Sequence, residues 1–147
     1  AVTLPGPTGE RNVYSLAPRS SVLCLASSDA DRLVQLAAVL AAGSRAIWPA
    51  DAQSLRQRLP SEVQAHVAIA RDWGADAVSF DAVLLHGSVD DLASIQKRLA
   101  QREGPVVSVE RMEAGESAIP MERLVVERAL SINTAAAGGN ASLMTVG

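Results

Sequence analysis

At 147 residues the chain offers one domain's worth of sequence, enough to bury a sizeable core. Hydrophobic residues make up 48% of it but aromatic ones only 3%, so Ala, Val and Leu must fill that core. A net charge of -3 without a basic tract argues against nucleic acid or an anionic membrane as partner, and the lone Cys24 excludes an internal disulfide.

That cysteine usage fits a reducing, cytoplasmic compartment. No apolar run is long enough for a transmembrane helix, and no signal peptide is recognisable. The chain opens AVTLPGPTGERN and closes NASLMTVG, as a piece cut from a longer protein would.

In chain order, residues 1–19 hold Pro5, Gly6, Pro7, Gly9 and Pro18 around Val13-Tyr14-Ser15-Leu16. That density of Pro and Gly argues against a helix or a central strand. It predicts an extended arm with one edge-strand segment, packed on a neighbour. Ser21 to Ala26 (SVLCLA) is a short apolar run that reads as a buried strand. Leu33, Leu36, Ala37 and Leu40 recur at helical spacing, and Gly43 follows where a left-handed cap costs no Cβ clash. The chain then extends through Ala46-Ile47-Trp48 to Pro49. Strand, helix and strand together make a right-handed βαβ unit.

Leu55 and Leu59, one helical turn apart, predict a second helix from Asp51 to Leu59, ended by Pro60. His66 to Ala70 reads as a strand, Asp72 to Phe80 as irregular, and Asp81 to His86 (DAVLLH) as another strand. Gly87-Ser88 opens a helix from Val89 to Glu103, with Leu92, Ile95 and Leu99 on one side and Gly104-Pro105 as its stop. Val106 to Val109 predicts a fifth strand, Met112 to Ala118 a polar loop, and Met121 to Leu130 a short helix with Leu124 and Val125 inward. From Ser131 the chain extends into Ala135-Ala136-Ala137-Gly138-Gly139-Asn140.

Strands alternating with helices predict an α/β fold: a Rossmann-like, open, mostly parallel sheet with helices on both faces. The expected organisation is an extended arm over 1–19, the sheet domain over 20–130 and a tail over 131–147. Such a sheet invites a dinucleotide, which needs free backbone N–H groups at a helix start beside a glycine-rich turn. After the first strand the chain reads Ala26-Ser27-Ser28-Asp29-Ala30-Asp31, with no glycine. Asp29 and Asp31 suit a helix N-terminus and would repel a pyrophosphate there; Asp51, and Asp90 with Asp91, do the same at the next two helix starts. Helix capping explains all three, and the sheet is poorly prepared for an anion.

No catalytic constellation emerges. Cys24 lies between Leu23 and Leu25 in a buried strand, whereas a reactive thiolate needs a polar, accessible site. His66 and His86 have no partner at metal-ligand spacing, and Ser88 is explained as a helix cap. Glu10, Arg11 and Asn12 are polar contacts of the arm without a fixed geometry.

The stretch Leu40 to Asp51 (LAAGSRAIWPAD) resembles the aldehyde dehydrogenase segment ALAAGNTVVLKPAE, whose lysine contacts the ribose of NAD. Trp48 stands at the lysine's place. Leu85 to Ser88 (LHGS) resembles the FTGS turn that starts the cofactor-binding helix of the same enzymes. Pro5 to Leu25 and Ser131 to Gly147 resemble the C-terminal region of the longer proline utilization A proteins, which join an FAD-dependent proline dehydrogenase to an NAD-dependent L-glutamate-γ-semialdehyde dehydrogenase. This resemblance covers essentially the whole chain.

It implies a noncatalytic, aldehyde-dehydrogenase-like C-terminal domain with a β-flap, to which the arm over 1–19 contributes, and a tail motif over 131–147. FAD and NAD are then held on other domains, with no catalytic, cofactor or metal residue here. The implied partner is the aldehyde dehydrogenase module of the same polypeptide, where the domain helps enclose a channelling tunnel. The implied tail contacts are Asn133, Thr134, Gly138, Gly139 and Asn140: the glycines admit a close backbone approach, and the polar side chains satisfy groups across the contact. The alternatives left open are an independent NAD(P)- or nucleotide-binding enzyme domain, and a homo-oligomer formed through the arm or an edge strand.

Overall fold

The computed structural model describes residues 1–6 and 9–133. Its elements in chain order are β1 (Val2–Leu4), β2 (Glu10–Pro18), β3 (Ser21–Ala26), α1 (Asp29–Ala41), β4 (Arg45–Pro49), α2 (Gln53–Gln57), α3 (Ser61–Gln64), β5 (Val67–Ala70), β6 (Ala82–His86), α4 (Val89–Leu99), β7 (Val109–Met112) and β8 (Val125–Asn133). They form two compact units, one of Ala1–Ala17 with the chain from Val126, the other of Pro18–Val125. The expected division at residue 130 falls inside β8.

The larger unit is built on a five-stranded sheet in the order β5-β4-β3-β6-β7, with every neighbouring pair parallel. The expected α/β architecture is therefore the observed one. β3 lies at the centre, and its run of apolar residues serves both faces. Val22 and Cys24 join Leu36 and Val39 of α1 and Leu55 of α2 in one core cluster. Leu23 and Leu25 join Trp73, Phe80 and Val83 in the other, against which Leu92, Ile95 and Leu99 of α4 pack. A strand buried on both faces needs no polar alternation, which is why SVLCLA reads as a continuous apolar block.

The helix ends follow from local chemistry. The Ser28 hydroxyl caps α1 by accepting the Asp31 N–H at 3.1 Å. At the other end Gly43 takes φ +83, Gly43 N–H donates to the Leu40 carbonyl and Ser44 N–H to that of Val39, the paired bonds of a Schellman cap. The buried face of α1 differs from the expected stripe. Leu33 and Ala37 point to solvent, while Arg32, Gln35, Leu36 and Val39 are buried. With Asp31, three polar side chains of this helix are buried and require partners, and these lie at the carboxyl end of the sheet.

Four other expectations are corrected. The predicted helix from Asp51 to Leu59 is a single 3-10 turn, Ala50–Ala52, followed by the short α2. α4 ends at Leu99 rather than Glu103, because the chain tightens into turns from Gln101 to Arg98 and from Arg102 to Leu99. Those turns carry Arg98 and Arg102 over the rings of Trp73 and Phe80, at 4.0 and 4.2 Å from the centroids. The fifth strand of the parallel sheet runs from Val109 to Met112, with Val83 opposite Val109 and His86 opposite Met112, and Val106 is left exposed. Met121–Leu124 is a 3-10 turn that buries Leu124, and the chain beyond it is strand, not helix.

The smaller unit is a three-stranded sheet in the order β1-β2-β8. β2 is thus its central strand, not an edge segment. Gly6 and Gly9 lie in the turn between β1 and β2, and Pro18 ends β2, so the ladder itself is spared. Val2 pairs with Tyr14 and Leu4 with Asn12 in antiparallel register. No residue of these three strands is buried, and Val2, Leu4, Leu16, Val126, Leu130 and Ile132 are exposed.

Candidate functional site

From β3 the chain crosses through α1 to β4 on one side, then returns to β6 on the other. The carboxyl ends of β3 and β6 therefore flank the topological switch point, where open α/β sheets bind ligands. A crevice of about 610 Å³ lies there, lined by residues that include Ala26, Ser27, Arg32, Asp51, His86 and Asp91.

In the turn after β6, two backbone donors of the crevice are engaged by the chain itself. Gly87 N–H donates to the Met112 carbonyl at 3.1 Å. Ser88 and Asp91 form a reciprocal capping box: Ser88 N–H donates to Asp91 Oδ2 at 2.8 Å, and Asp91 N–H donates to the Ser88 hydroxyl at 3.1 Å. The Ser88 hydroxyl and then its backbone N–H hold the Asp91 carboxyl below its ordinary value. A Cβ on Gly87 would stand 3.0 Å from Asp91 Oδ2, so glycine here admits the chain's own carboxylate.

Arg32 is the cation of the crevice, and it is matched internally. Its Nη2 meets Asp51 and its Nη1 meets Asp29 at 3.4 Å, while Asp29 also receives Arg58 Nη2 at 2.6 Å. The Arg32 side chain is 6% exposed. A buried guanidinium flanked by two carboxylates is not available to a phosphate.

His86 lines the crevice, and Gln35 is buried behind it. Gln35 Nε2 donates to the Leu25 carbonyl at 3.0 Å and lies 2.9 Å from His86 Nδ1. The amide nitrogen is a donor, so Nδ1 accepts, and the ring proton sits on Nε2, which donates to the Glu116 carbonyl at 2.7 Å. Asp31 Oδ1 accepts the Gly115 N–H at 3.0 Å. The loop after β7 is thereby fastened to the crevice by two side chains. Gln35 Oε1 and Arg32 Nε have no partner among the described residues.

A Rossmann coenzyme needs free N–H groups on its pyrophosphate, and those of Gly87 and Ser88 are taken. Trp48, at the position of the ribose-binding lysine, is fully buried in the core cluster and does not line the crevice. Cys24 is fully buried, and burial pushes its thiol far up from the ordinary value. Among the described residues no group of three metal-ligating side chains exists, and no helix is long and apolar enough to cross a membrane. Asn133 closes β8; Thr134, Gly138, Gly139 and Asn140 lie outside the described residues.

The sequence reading identified Asp29, Asp31, Asp51 and Asp91 as acidic helix starts. Arg32, which pairs with Asp29 and Asp51, and Gln35, which is buried against His86, are not singled out by it. The available signal was their spacing: with Leu36 and Val39 they complete one helical face more consistently than Leu33 does.

Fold and crevice together define a Rossmann-like α/β domain in which the cation of the switch-point crevice is paired by the chain's own carboxylates. Its homologues are the PutA bifunctional proteins. The chain is 56% identical over 146 residues to the bifunctional protein PutA of Salmonella typhimurium and 53% identical over 146 residues to that of Escherichia coli, in each case over 98% of this chain. A more distant relative, from Rhizobium meliloti, is 38% identical over 151 residues. The chain spans only 11% of the Salmonella and Escherichia proteins. No family model matches. Among solved structures, a Bradyrhizobium japonicum proline utilization A variant aligns with TM-score 0.58 at 23% identity, covering 78% of this chain and 14% of that one. A crystal structure of a bifunctional proline utilization A protein aligns with TM-score 0.56 at 23% identity, covering 78% of this chain and 13% of that one. At that identity the likeness is one of fold.

Proposed function

We propose that this chain is the noncatalytic, aldehyde-dehydrogenase-like C-terminal segment of a bifunctional proline-catabolic polypeptide. It packs on the aldehyde dehydrogenase module of the same polypeptide and helps enclose the tunnel that carries pyrroline-5-carboxylate between two active sites. FAD and NAD belong to the other domains, in the cytoplasm. The observation that carries this reading is the self-paired switch-point crevice: Arg32 held by Asp29 and Asp51, and the loop after β7 held by His86 and Asp31. A domain that has closed its ligand seat and kept its sheet serves through its surface. The three strands without a buried residue support this, because a three-stranded sheet is stable only with an apolar face covered.

Removing residues 131–147 from the full-length polypeptide tests the proposal. Coupled conversion of proline to glutamate falls, while proline oxidation by itself persists. Undiminished coupled flux contradicts the tunnel-enclosing role.

A further inference from the structure

At the opposite end of the five-stranded sheet, the amino ends of β3, β4 and β5 open into a second recess of about 470 Å³. Strand register sets its chemistry. Ser21 stands opposite Arg45 across β3 and β4, and Ala46 opposite Val67 across β4 and β5, which places Arg45 and His66 at neighbouring positions on the rim. The His66 carbonyl accepts the Ala46 N–H at 2.9 Å and fixes that juxtaposition. Arg56 reaches the same recess from α2. Its Nε and Nη2 donate to the carbonyls of Val67 and Gln64 at 2.6 and 3.0 Å, which orient the guanidinium without neutralising it.

No Asp or Glu lines this recess. Among the described residues, neither Arg45 nor Arg56 is in an ion pair, whereas Arg32, Arg58, Arg98, Arg111 and Arg123 all are. In a chain of net charge -3, two unmatched guanidinium groups beside an imidazole form a local field of opposite sign. The walls between them are apolar, from Ala46 and Val67, and the volume falls within the range of small-molecule sites, about 300–1,000 Å³.

We propose that this recess binds a small organic oxyanion, a phosphate monoester or a carboxylate with a compact apolar body. Arg45 and Arg56 supply charge-assisted hydrogen bonds, and His66 and the Ser20 hydroxyl complete the ring of polar groups. The site is distinct from the switch-point crevice, and it does not depend on the function proposed above.

Equilibrium dialysis of the full-length polypeptide against phenyl phosphate and against benzoate tests it. The comparison is between the natural chain, the double variant Arg45→Ala/His66→Ala, and Lys97→Ala as a control cation on α4. Arg45 and His66 are exposed, so the double variant keeps the fold. The expected result is a saturable site that weakens about tenfold or more in the double variant and is unchanged in the control. Tighter phenyl phosphate identifies phosphate as the chemistry, and tighter benzoate identifies carboxylate. Equal binding by the natural chain and the double variant, equal weakening in the control, or no saturable binding of either probe overturns the proposal.

Discussion

Arg32 illustrates how a buried charge is kept at this crevice. Its two carboxylate partners are half or more exposed, so each contact is screened, but the guanidinium itself has little water to fall back on. Asp51→Ala should cost about 1 kcal/mol, the value for a screened pair raised slightly by the buried partner. Arg32→Met removes the charge and its unpartnered Nε together, and should cost less than Asp51→Ala despite deleting both ion pairs. Urea unfolding of the two variants checks the order, and a larger loss for Arg32→Met contradicts it. His86 acts one step further out. His86→Ala leaves the Gln35 amide and the Glu116 carbonyl without their partner and should cost about 1–3 kcal/mol, with faster amide exchange at Gly115 as the loop loosens. Unchanged exchange at Gly115 would show that Asp31 alone holds the loop.

Helix caps are where local sequence and local energy coincide most closely. Ser88→Ala removes one half of the capping box and should destabilise α4 by about 1 kcal/mol. The same change should raise the Asp91 pKa toward its ordinary value, read by carboxyl NMR titration. The sign follows from the depressed folded value: this contribution is present above the unfolded pKa and is lost as pH falls through the folded one. An Asp91 pKa unmoved by Ser88→Ala would contradict the assigned cause. Elements with such signals, or with unbroken apolar runs, were legible: β3, β6, the caps of α1 and the start of α4. β7 was placed several residues early because Val106-Val107-Ser108-Val109 has strand propensity, whereas the pairing with Val83 to His86 selects Val109 to Met112. Met121 to Leu130 carries an apolar and charged mixture compatible with either period. Pairing with β2, a tertiary cause absent from the local sequence, selects strand beyond Leu124.

At the scale of the whole molecule, the α/β class follows from the alternation of elements, while the closure of the switch-point crevice does not. That closure joins residues far apart in sequence, Arg32 to Asp51, Gln35 to His86, and Asp31 to Gly115, and no local pattern encodes such contacts. What was readable was half of it, the acidic helix starts. The exposed three-stranded sheet was readable only as an arm, because its central strand borrows its partner from the far end of the chain. Calorimetric titration of the 147-residue chain with NAD and with ADP-ribose tests the closed seat most directly. The account predicts no saturable heat for either ligand, and a stoichiometric isotherm that Asp51→Ala or Gly87→Ala alters would contradict it.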